Sequence, residues 1–313
     1  MKIGIDIMGG DFAPEASVLG AILANNELSD DIRLVLIGDE QKIKEILIRE
    51  KIEPNEFDIV HTDEWIEMGE HPAKAFAAKQ KSSIAIGFHM LQKNMIDGFA
   101  SAGNTGAMLV GAMYTVKSIP GVIRPCISAE LPQYEGKPAL LLDVGINPDC
   151  RPDVLYQYGI IGSVYASQFY GIENPKVALL NIGSEEKKGN LIVKNTFDLM
   201  KGTKDFNFIG NVEANNLLGE CPADVIVCDG FTGNVVLKEA EGIYKILLKR
   251  GIKDAFFHRF NPEVHGGTPI LGINAPVLIG HGASSPKAIK TMILKTKNVI
   301  EAKVSEKLIE LYR

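Results

Sequence analysis

Residues 176–200 read KVALLNIGSEEKKGNLIVKNTFDLM and contain one full repeat of the pattern that decides the fold. The first six residues form a short run rich in Val, Ala and Leu, which is typical of a buried parallel strand. Glycine, serine and charged residues follow, and apolar residues then return at helical spacing. The stretch therefore predicts a strand, a glycine-containing turn and a helix, in that order.

The same alternation extends over the whole chain. The pattern predicts strands at Lys2–Met8, Ile32–Ile37, Phe57–His61, Ala139–Asp143, Lys176–Asn181, Asn207–Gly210 and Ala223–Cys228. It predicts helices at Pro14–Asn25, Glu40–Lys51, Ser83–Lys93, Thr105–Val116, Asp153–Tyr170, Gly189–Met200 and Ser285–Leu311. This order indicates an α/β chain with a doubly wound sheet, and we interpret residues 1–313 as one domain.

The composition limits the class of protein. Lys and Arg number 33 against 39 Asp and Glu, so there is no excess of cations to neutralise the phosphates of a nucleic acid. The four cysteines form no C-x-x-C pair, which favours buried thiols in a reducing compartment over a metal site. No apolar stretch reaches the roughly 20 residues of a membrane span, and no export signal is recognisable. We expect a cytoplasmic protein without a cofactor, which can still touch a membrane surface.

Glycine together with Asn, Asp or Thr occurs in five turns, four of them directly after predicted strands and one at residues 101–106. Because the carboxyl ends of parallel strands share one edge of a sheet, we expect these turns to face one crevice. Backbone N–H groups at helix starts attract anions, although each turn alone is equally well explained as a strand-to-helix turn with its N-cap. The candidate phosphate or substrate residues are Gly10, Asp11, Ser101, Gly103, Asn104, Thr105, Gly106, Asp143, Asn147, Gly183, Asn190, Asp229, Thr232, Gly233 and His281.

Two segments add cations or titratable groups to this set. The run Gly183–Asn190 holds two lysines among glycines, where one can neutralise a phosphate or a developing oxyanion. A solvated charge cluster at a helix start is the alternative. His281 lies before the last predicted helix and either binds an anion or makes a structural hydrogen bond in its turn.

Several common catalytic motifs do not occur in the chain. We find no G-x-S-x-G, no Walker P-loop, no G-x-G-x-x-G after a strand and no H-E-x-x-H. Their absence counts against a serine hydrolase, a P-loop nucleotide site, a dinucleotide-binding enzyme and a zinc protease.

A basic segment contrasts with the acidic composition. Residues Gly242–Phe260 predict one amphipathic helix, within a helical segment at about 240–262. Its apolar stripe consists of Tyr244, Leu248, Ile252, Phe256 and Phe260, and its basic side consists of Lys245, Lys249, Arg250, Lys253 and Arg259. The helix either contacts a membrane surface or an acidic partner, or packs against a core or a dimer with its basic side in water.

Seven blocks, taken together, resemble one known family. They are DIMGGDFAP (6–14), SAGNTGA (101–107), LLDVG (141–145), GSVYA (162–166), ENPKVALLNIGSEEKKGN (173–190), CDGFTGNVVLK (228–238) and HGASSPKAIK (281–290). Through them the chain is similar to the bacterial phosphate acyltransferases, which act early in phospholipid synthesis. The blocks extend from the first predicted strand to the last predicted helix, so the resemblance covers nearly the whole chain.

The resemblance implies an activity, a fold and a set of partners. The expected reaction is reversible transfer of a fatty acyl group from acyl carrier protein to inorganic phosphate, giving an acyl phosphate. The expected fold is Rossmann-like, similar to the isocitrate and isopropylmalate dehydrogenases and to the phosphotransacetylases. The resemblance also implies a homodimer without a metal, loose membrane association, an acidic carrier protein as partner and a downstream glycerol-3-phosphate acyltransferase.

The resemblance also assigns roles to individual residues. By position, the lysine of the EE-x-KGN motif matches Lys188 and the asparagine of GFTGN matches Asn234, so these two resemble the family's catalytic pair. We expect Lys188 to supply charge for phosphate or the oxyanion, and Asn234 to donate to the carbonyl oxygen. Backbone amides near Gly103–Gly106 and Gly233 are expected to cradle phosphate. The carboxylates expected to orient lysines or backbone are those of Asp11, Asp143 and Asp229.

Three other functions remain open from the sequence. The opening segment Ile3–Gly10 is similar to the phosphate loop of actin-like sugar kinases, although Asp11 stands where threonine is usual; binding of ATP with Mg²⁺ would identify that class. A phosphotransacetylase would use coenzyme A instead of carrier protein. A non-catalytic anion- or lipid-binding scaffold would bind phosphate without turnover.

Overall fold

The computed structural model describes residues 1–312, which separate into two compact units. The first unit contains residues 1–118 and 262–301, and the second contains residues 119–261 and 302–312. Each unit is thus built from two separate parts of the chain. That residues 1–313 form one domain stays a prediction, and its last residue lies outside the described part.

Strands and helices alternate along most of the chain. The strands are β1 (Lys2–Asp6), β2 (Arg33–Gly38), β3 (Asp58–His61), β4 (Gly98–Ser101), β5 (Cys126–Leu131), β6 (Ala139–Leu142), β7 (Lys176–Asn181), β8 (Asn207–Glu213), β9 (Val225–Val227), β10 (Thr268–Leu271) and β11 (Val277–Ile279). The helices are α1 (Glu15–Asn25), α2 (Glu40–Arg49), α3 (Pro72–Ala78), α4 (Ser83–Gln92), α5 (Thr105–Gly111), α6 (Pro152–Tyr170), α7 (Leu191–Met200), α8 (Gly230–Lys249), α9 (Ala255–His258), α10 (Pro262–His265), α11 (Pro286–Glu301) and α12 (Val304–Leu311). Among residues 1–312, none of these helices has the length and apolar character needed to cross a bilayer.

The sheet of the first unit places two strand ends beside each other. Its strands lie in the order β3-β2-β1-β4-β11-β10, and neighbours pair in parallel except β10, which is antiparallel to β11. The order reverses beside β1, since β2 and β3 lie on one side and β4 on the other. Ligands bind at such switch points, outside the carboxyl ends of the strands.

The sheet of the second unit brings three strand ends to one edge. Its order is β5-β6-β9-β7-β8, and only β5 and β6 pair antiparallel. Because β9 lies between β6 and β7, the turns after these three strands are neighbours. Helix α6 packs closely on this sheet: a Cβ on Gly162 would approach Val225 Cγ1 to 2.5 Å.

The strands also supply the apolar core that holds these edges in place. Leu141, Leu179 and Ile226 lie on three adjacent strands of the second sheet and are fully buried. Burial of each such side chain contributes about 1.5–3 kcal/mol. The turns at the carboxyl ends therefore start from rigid positions.

The α/β class and all seven predicted strands are confirmed, but the pattern does not predict β4, β5, β10 or β11. Strands β10 and β11 have four and three residues. Pro269 lies inside β10, and proline has no N–H for a ladder hydrogen bond. Such segments become strands only because neighbouring strands pair with them.

Two predicted helices are interrupted. The helix expected over Ser285–Leu311 divides at Lys303, whose φ is 51° and which precedes α12. The single helix expected over Gly242–Phe260 is wrong as well: α8 ends at Lys249, Gly251 has φ 71°, and Asp254 caps the short α9. The segment is helical, but its apolar stripe does not continue along one face.

Candidate active site

A buried carboxylate joins the two strand ends of the first unit. Asp6 is 1% exposed, and its Oδ2 accepts a 2.6 Å hydrogen bond from Ser101 Oγ. Its Oδ1 accepts from Met8 N at 3.0 Å, while Gly103 N donates to Ser101 Oγ at 2.9 Å. Burial raises the pKa of Asp6 above its ordinary value, although these hydrogen bonds oppose the shift. The Gly103 amide, expected to contact phosphate, therefore already has an acceptor inside the protein.

Asn104 braces the same turn from within. It is 4% exposed, and its Oδ1 caps α5 by accepting from Ala107 N at 3.0 Å. Its Nδ2 donates to carbonyl oxygens at 3.0–3.2 Å, namely those of Glu67, Met68 and Glu70. Of the next two residues, which begin α5, Thr105 is exposed and Gly106 is half-buried. Asn104 thus acts on the protein's own backbone.

The turn after β1 meets the turn before α11. Asp11 N donates to Gly282 O at 2.8 Å, and Gly10 has φ 110°, a conformation that suits glycine. Asp11 and His281 are exposed. His281 Nδ1 accepts from Ala283 N at 3.2 Å, so the histidine makes the structural hydrogen bond that one of its two interpretations expected.

In the second unit, Asp143 fixes the loop after β6. This carboxylate is fully buried; its Oδ2 accepts from Asn147 N at 2.6 Å and from Asn147 Nδ2 at 3.1 Å. Its Oδ1 accepts from Ile127 N at 3.1 Å, and Asn147 Nδ2 also donates to Pro125 O at 2.8 Å. Burial raises the pKa of Asp143 against the effect of these bonds. Asp143 thus accepts hydrogen bonds from two backbone N–H groups and from the side chain of Asn147.

The loop after β7 presents Lys188 on a fixed backbone. Asn181 is 9% exposed; its Nδ2 donates to Lys188 O at 3.2 Å and its Oδ1 accepts from Ile182 N at 2.8 Å. Gly189 has φ 91°, and a Cβ there would lie 2.5 Å from Asn181 Oδ1. The Lys188 side chain itself is 51% exposed, and its Nζ lies 3.9 Å from Glu185 Oε1. The loop therefore holds the backbone in place and leaves the ammonium group in solvent.

The start of α8 presents Asn234. Asp229 caps this helix: its Oδ1 accepts from Thr232 N at 2.8 Å and its Oδ2 from Thr232 Oγ1 at 2.9 Å. The helix begins at Gly230, so Asn234 lies inside it rather than in the turn that the sequence predicts. The Asn234 side chain is exposed, near the position that a Cβ on Gly145 would occupy. Gly233 N, expected to cradle phosphate, donates to Asp229 O at 3.0 Å within the helix.

The remaining predicted residues are divided between structural and exposed positions. Asn190 caps α7 by accepting from Val193 N at 2.9 Å, and Gly183 is buried. Arg259 is half-buried, and its Nη1 donates to Gln133 O at 2.6 Å, so it also supports the fold, and its contact with a partner stays a prediction. The four other basic residues of the segment are exposed: Lys245, Lys249, Arg250 and Lys253. That all the candidates serve one crevice stays a prediction.

Sequence reasoning missed two residues that organise these turns, Asp6 and Asn181. Each is the polar residue that ends an otherwise apolar strand, and that position was the available signal. Within residues 1–312 we find no group of three or more His, Cys, Asp or Glu side chains arranged to hold a metal ion.

Comparisons with known proteins find a matching family model and similar relatives. Residues 1–250 match the model of a family described as "Fatty acid synthesis protein". A phosphate acyltransferase from Dictyoglomus turgidum is 40% identical over 329 residues, covering 99% of this chain and 97% of the relative. One from Bacillus cereus is 39% identical over 323 residues, covering 97% and 96%. The matched span includes Ile3–Gly10, so these matches do not support a sugar kinase.

Solved structures share the fold. A phosphotransacetylase from Staphylococcus aureus has a TM-score of 0.66 at 16% identity, covering 97% of this chain and 94% of its own. A branched-chain phosphotransacylase from Enterococcus faecalis has a TM-score of 0.64 at 15% identity, covering 96% and 99%. At these identities the likeness concerns the Rossmann-like fold alone, and it confirms the expected fold class.

Proposed function

The chain belongs to the phosphate acyltransferase family, and from that membership we propose that it transfers a fatty acyl group from acyl-[acyl carrier protein] to inorganic phosphate. The products are an acyl phosphate and free carrier protein, and the reaction is reversible. The observation that carries the proposal is the exposure of Lys188 and Asn234 at two neighbouring strand ends, where hydrogen bonds of the Asn181 and Asp229 side chains hold the surrounding turns.

The reaction makes modest demands on protein side chains. A phosphate oxygen attacks the thioester carbonyl carbon, the carbonyl oxygen takes the negative charge, and the C–S bond breaks as that oxyanion collapses. Phosphate is already an anionic nucleophile, so no serine or cysteine is required. A leaving thiol with a pKa of about 8.5 needs little acid assistance. Positioning and charge stabilisation therefore provide most of the catalysis.

Lys188 and Asn234 suit these two tasks. The Lys188 ammonium group is an exposed point charge on a loop whose backbone is hydrogen-bonded, so it attracts phosphate without the cost of ordering the backbone. The Asn234 amide supplies an uncharged donor for the carbonyl oxygen, which becomes the oxyanion. Removal of one such donor typically lowers turnover about 100- to 1,000-fold.

The carrier protein requires a separate docking surface. We assign this role to Lys245, Lys249, Arg250 and Lys253, which are exposed on and after the end of α8. An acidic carrier would be steered to this surface, and salt would weaken the attraction. Dimer formation and contact with a membrane surface remain predictions of the family resemblance.

Release of free thiol from palmitoyl-carrier protein, measured with and without phosphate, tests the proposed function. Phosphate-dependent release with a hydroxylamine-sensitive product is expected. Release only from acetyl-coenzyme A would instead identify a small-acyl phosphotransacetylase. Phosphate binding without release from either thioester would leave the scaffold interpretation.

A further inference from the structure

We propose that an apolar cavity in the second unit holds the fatty acyl chain and sets its preferred length. The cavity has a volume of about 460 Å³ and lies at the carboxyl ends of β7 and β9. This volume falls within the roughly 300–1,000 Å³ typical of ligand sites. The inference rests on the proposed function and adds to it the site of the alkyl chain.

Most of the cavity wall is hydrocarbon. Its apolar side chains include those of Leu155, Leu180, Ile182, Ile192, Val193 and Phe231. The floor includes Cys150 and Cys228, whose thiols are buried. Burial raises the pKa of Cys150 to about 11, so its thiol is neutral and weakly polar at neutral pH. Such a lining suits an alkyl chain better than a charged or sugar-like group.

Four polar side chains in the wall, those of Asn181, Asn190, Asp229 and Thr232, make hydrogen bonds within the protein, and the fifth, the carboxylate of Asp149, is exposed. Asn181 uses its amide oxygen for Ile182 N and its amide nitrogen for Lys188 O. The carboxylate of Asp229 accepts from both the N–H and the hydroxyl of Thr232. A site for a polar ligand would instead direct unpaired donors or acceptors inward. This arrangement again favours a hydrocarbon occupant.

The position of the cavity matches the order of groups in a thioester. One wall comes from the loop and helix start that flank Lys188, through Asn181, Gly189 and Val193. The opposite wall comes from the start of α8, where Thr232 and Val236 flank Asn234. A carbonyl held by the exposed pair would therefore have its alkyl arm beside the opening of the cavity.

The rim of the cavity includes exposed apolar side chains. Ile182 is 80% exposed, Phe231 is 66% exposed and Ile192 is 42% exposed. Exposure of neighbouring apolar side chains to water is unfavourable, and such exposed patches are typical of binding sites. A long acyl chain would cover them, whereas a short chain would not. The rim thus supplies a reason for long chains to bind more tightly than short ones.

The test compares butyryl-, decanoyl- and palmitoyl-carrier protein as substrates. For the unmodified protein, kcat/KM should rise about fourfold per added methylene until the cavity is full. Val193→Trp narrows the cavity and should lower kcat/KM for palmitoyl substrate about tenfold or more. It should change butyryl transfer and the KM for phosphate less than about threefold. Leu199→Trp, on the exposed side of the same helix, is the matched control and should leave the profile unchanged.

A second variant does not depend on tolerance of the packed interior. Ile182→Ser removes an exposed rim group and should lower kcat/KM for palmitoyl substrate about fivefold, with little effect on butyryl substrate. Failure of the unmodified protein on every thioester would defeat the proposed function itself. Suppose instead that the unmodified protein is active. If each substitution then changes kcat/KM by the same factor for every chain length, or leaves it unchanged, the cavity does not hold the chain. A flat profile with an altered oligomeric state would assign the rim to a subunit contact and also overturn the proposal.

Discussion

Two asparagines in similar sequence motifs have opposite surroundings. Asn104 lies in Gly-Asn-Thr-Gly before α5, and Asn234 lies in Phe-Thr-Gly-Asn at the start of α8. Asn104 is 4% exposed and directs every polar atom of its side chain to backbone groups. Asn234 is exposed beside Gly145. The same residue types therefore build a brace in one unit and a free hydrogen-bonding group in the other.

The difference comes from which residue caps the helix. In the first turn Asn104 is itself the N-cap, so its side chain must turn back to the helix. In the second, Asp229 is the N-cap and relieves Asn234 of that task. A capping side chain is tied to its own backbone, and a residue further along is available for a ligand. Substitutions at both kinds of residue test whether capping and ligand contact are separated in this way.

The largest effect is expected at the exposed pair. Asn234→Ala and Lys188→Ala should each lower kcat about 100- to 1,000-fold, because each removes charge or hydrogen-bond stabilisation of the oxyanion. Thermal unfolding should stay close to that of the unmodified protein, since both side chains are exposed. Steady-state thiol release gives the measurement, with Asn195→Ala on α7 as an exposed control. A normal rate in either variant would remove that residue from the mechanism.

The next effect is expected in stability, at the brace. Asn104→Ala should lower the free energy of unfolding by about 2–3 kcal/mol, because it removes an N-cap and leaves backbone carbonyl groups without a donor. Asn190→Ala removes only the exposed cap of α7 and should cost about 1 kcal/mol. Urea denaturation measures both. An equal cost for the two variants would mean that the additional bonds of Asn104 contribute nothing.

A smaller effect is expected in the pH dependence of stability. The pKa of Asp6 is raised on folding from an ordinary value of 3.8, so the native state binds this proton more tightly than the unfolded state. The stabilisation that this tighter proton binding gives the native state is fully present below pH 3.8 and is lost as pH rises through the raised pKa. Relative to the unmodified protein, Asp6→Asn should therefore gain stability as pH increases over that window. Urea unfolding at successive pH values gives this difference, and a difference independent of pH would contradict the assignment.

The smallest effect is expected at the docking surface. Replacing both Lys249 and Arg250 by alanine should raise the KM for acyl-carrier protein about threefold at low salt, because exposed charges contribute weakly. The difference should vanish near 1 M salt, where the screening length is about 3 Å. Lys44→Ala, an exposed lysine of the first unit, serves as control. A threefold change that persists in high salt would indicate packing rather than charge.

Part of this molecule could be predicted from its sequence, and particular residues show the limit. The strand Lys176–Asn181 and the exposure of Lys188 follow from a buried apolar run and a polar, glycine-rich loop. Local sequence could not predict β10, since Thr268-Pro-Ile-Leu has no clear period and its pairing, such as that with β11, is set by the tertiary structure. Nor could it predict that Gly103 and Gly233 direct their N–H groups to internal acceptors.

The sequence by itself determined the α/β class, the order of most elements and the family, since these depend on apolar periodicity and on residue types at fixed spacing. Only the tertiary structure decided which polar residues are braces and which are free. Asp6, Asn104, Asp143 and Asn181 are buried in the folded chain, and a buried polar group must find a partner within the protein. Lys188 and Asn234 remain exposed to solvent because other side chains make the hydrogen bonds that hold the backbone around them. Which side chains do so depends on packing in three dimensions.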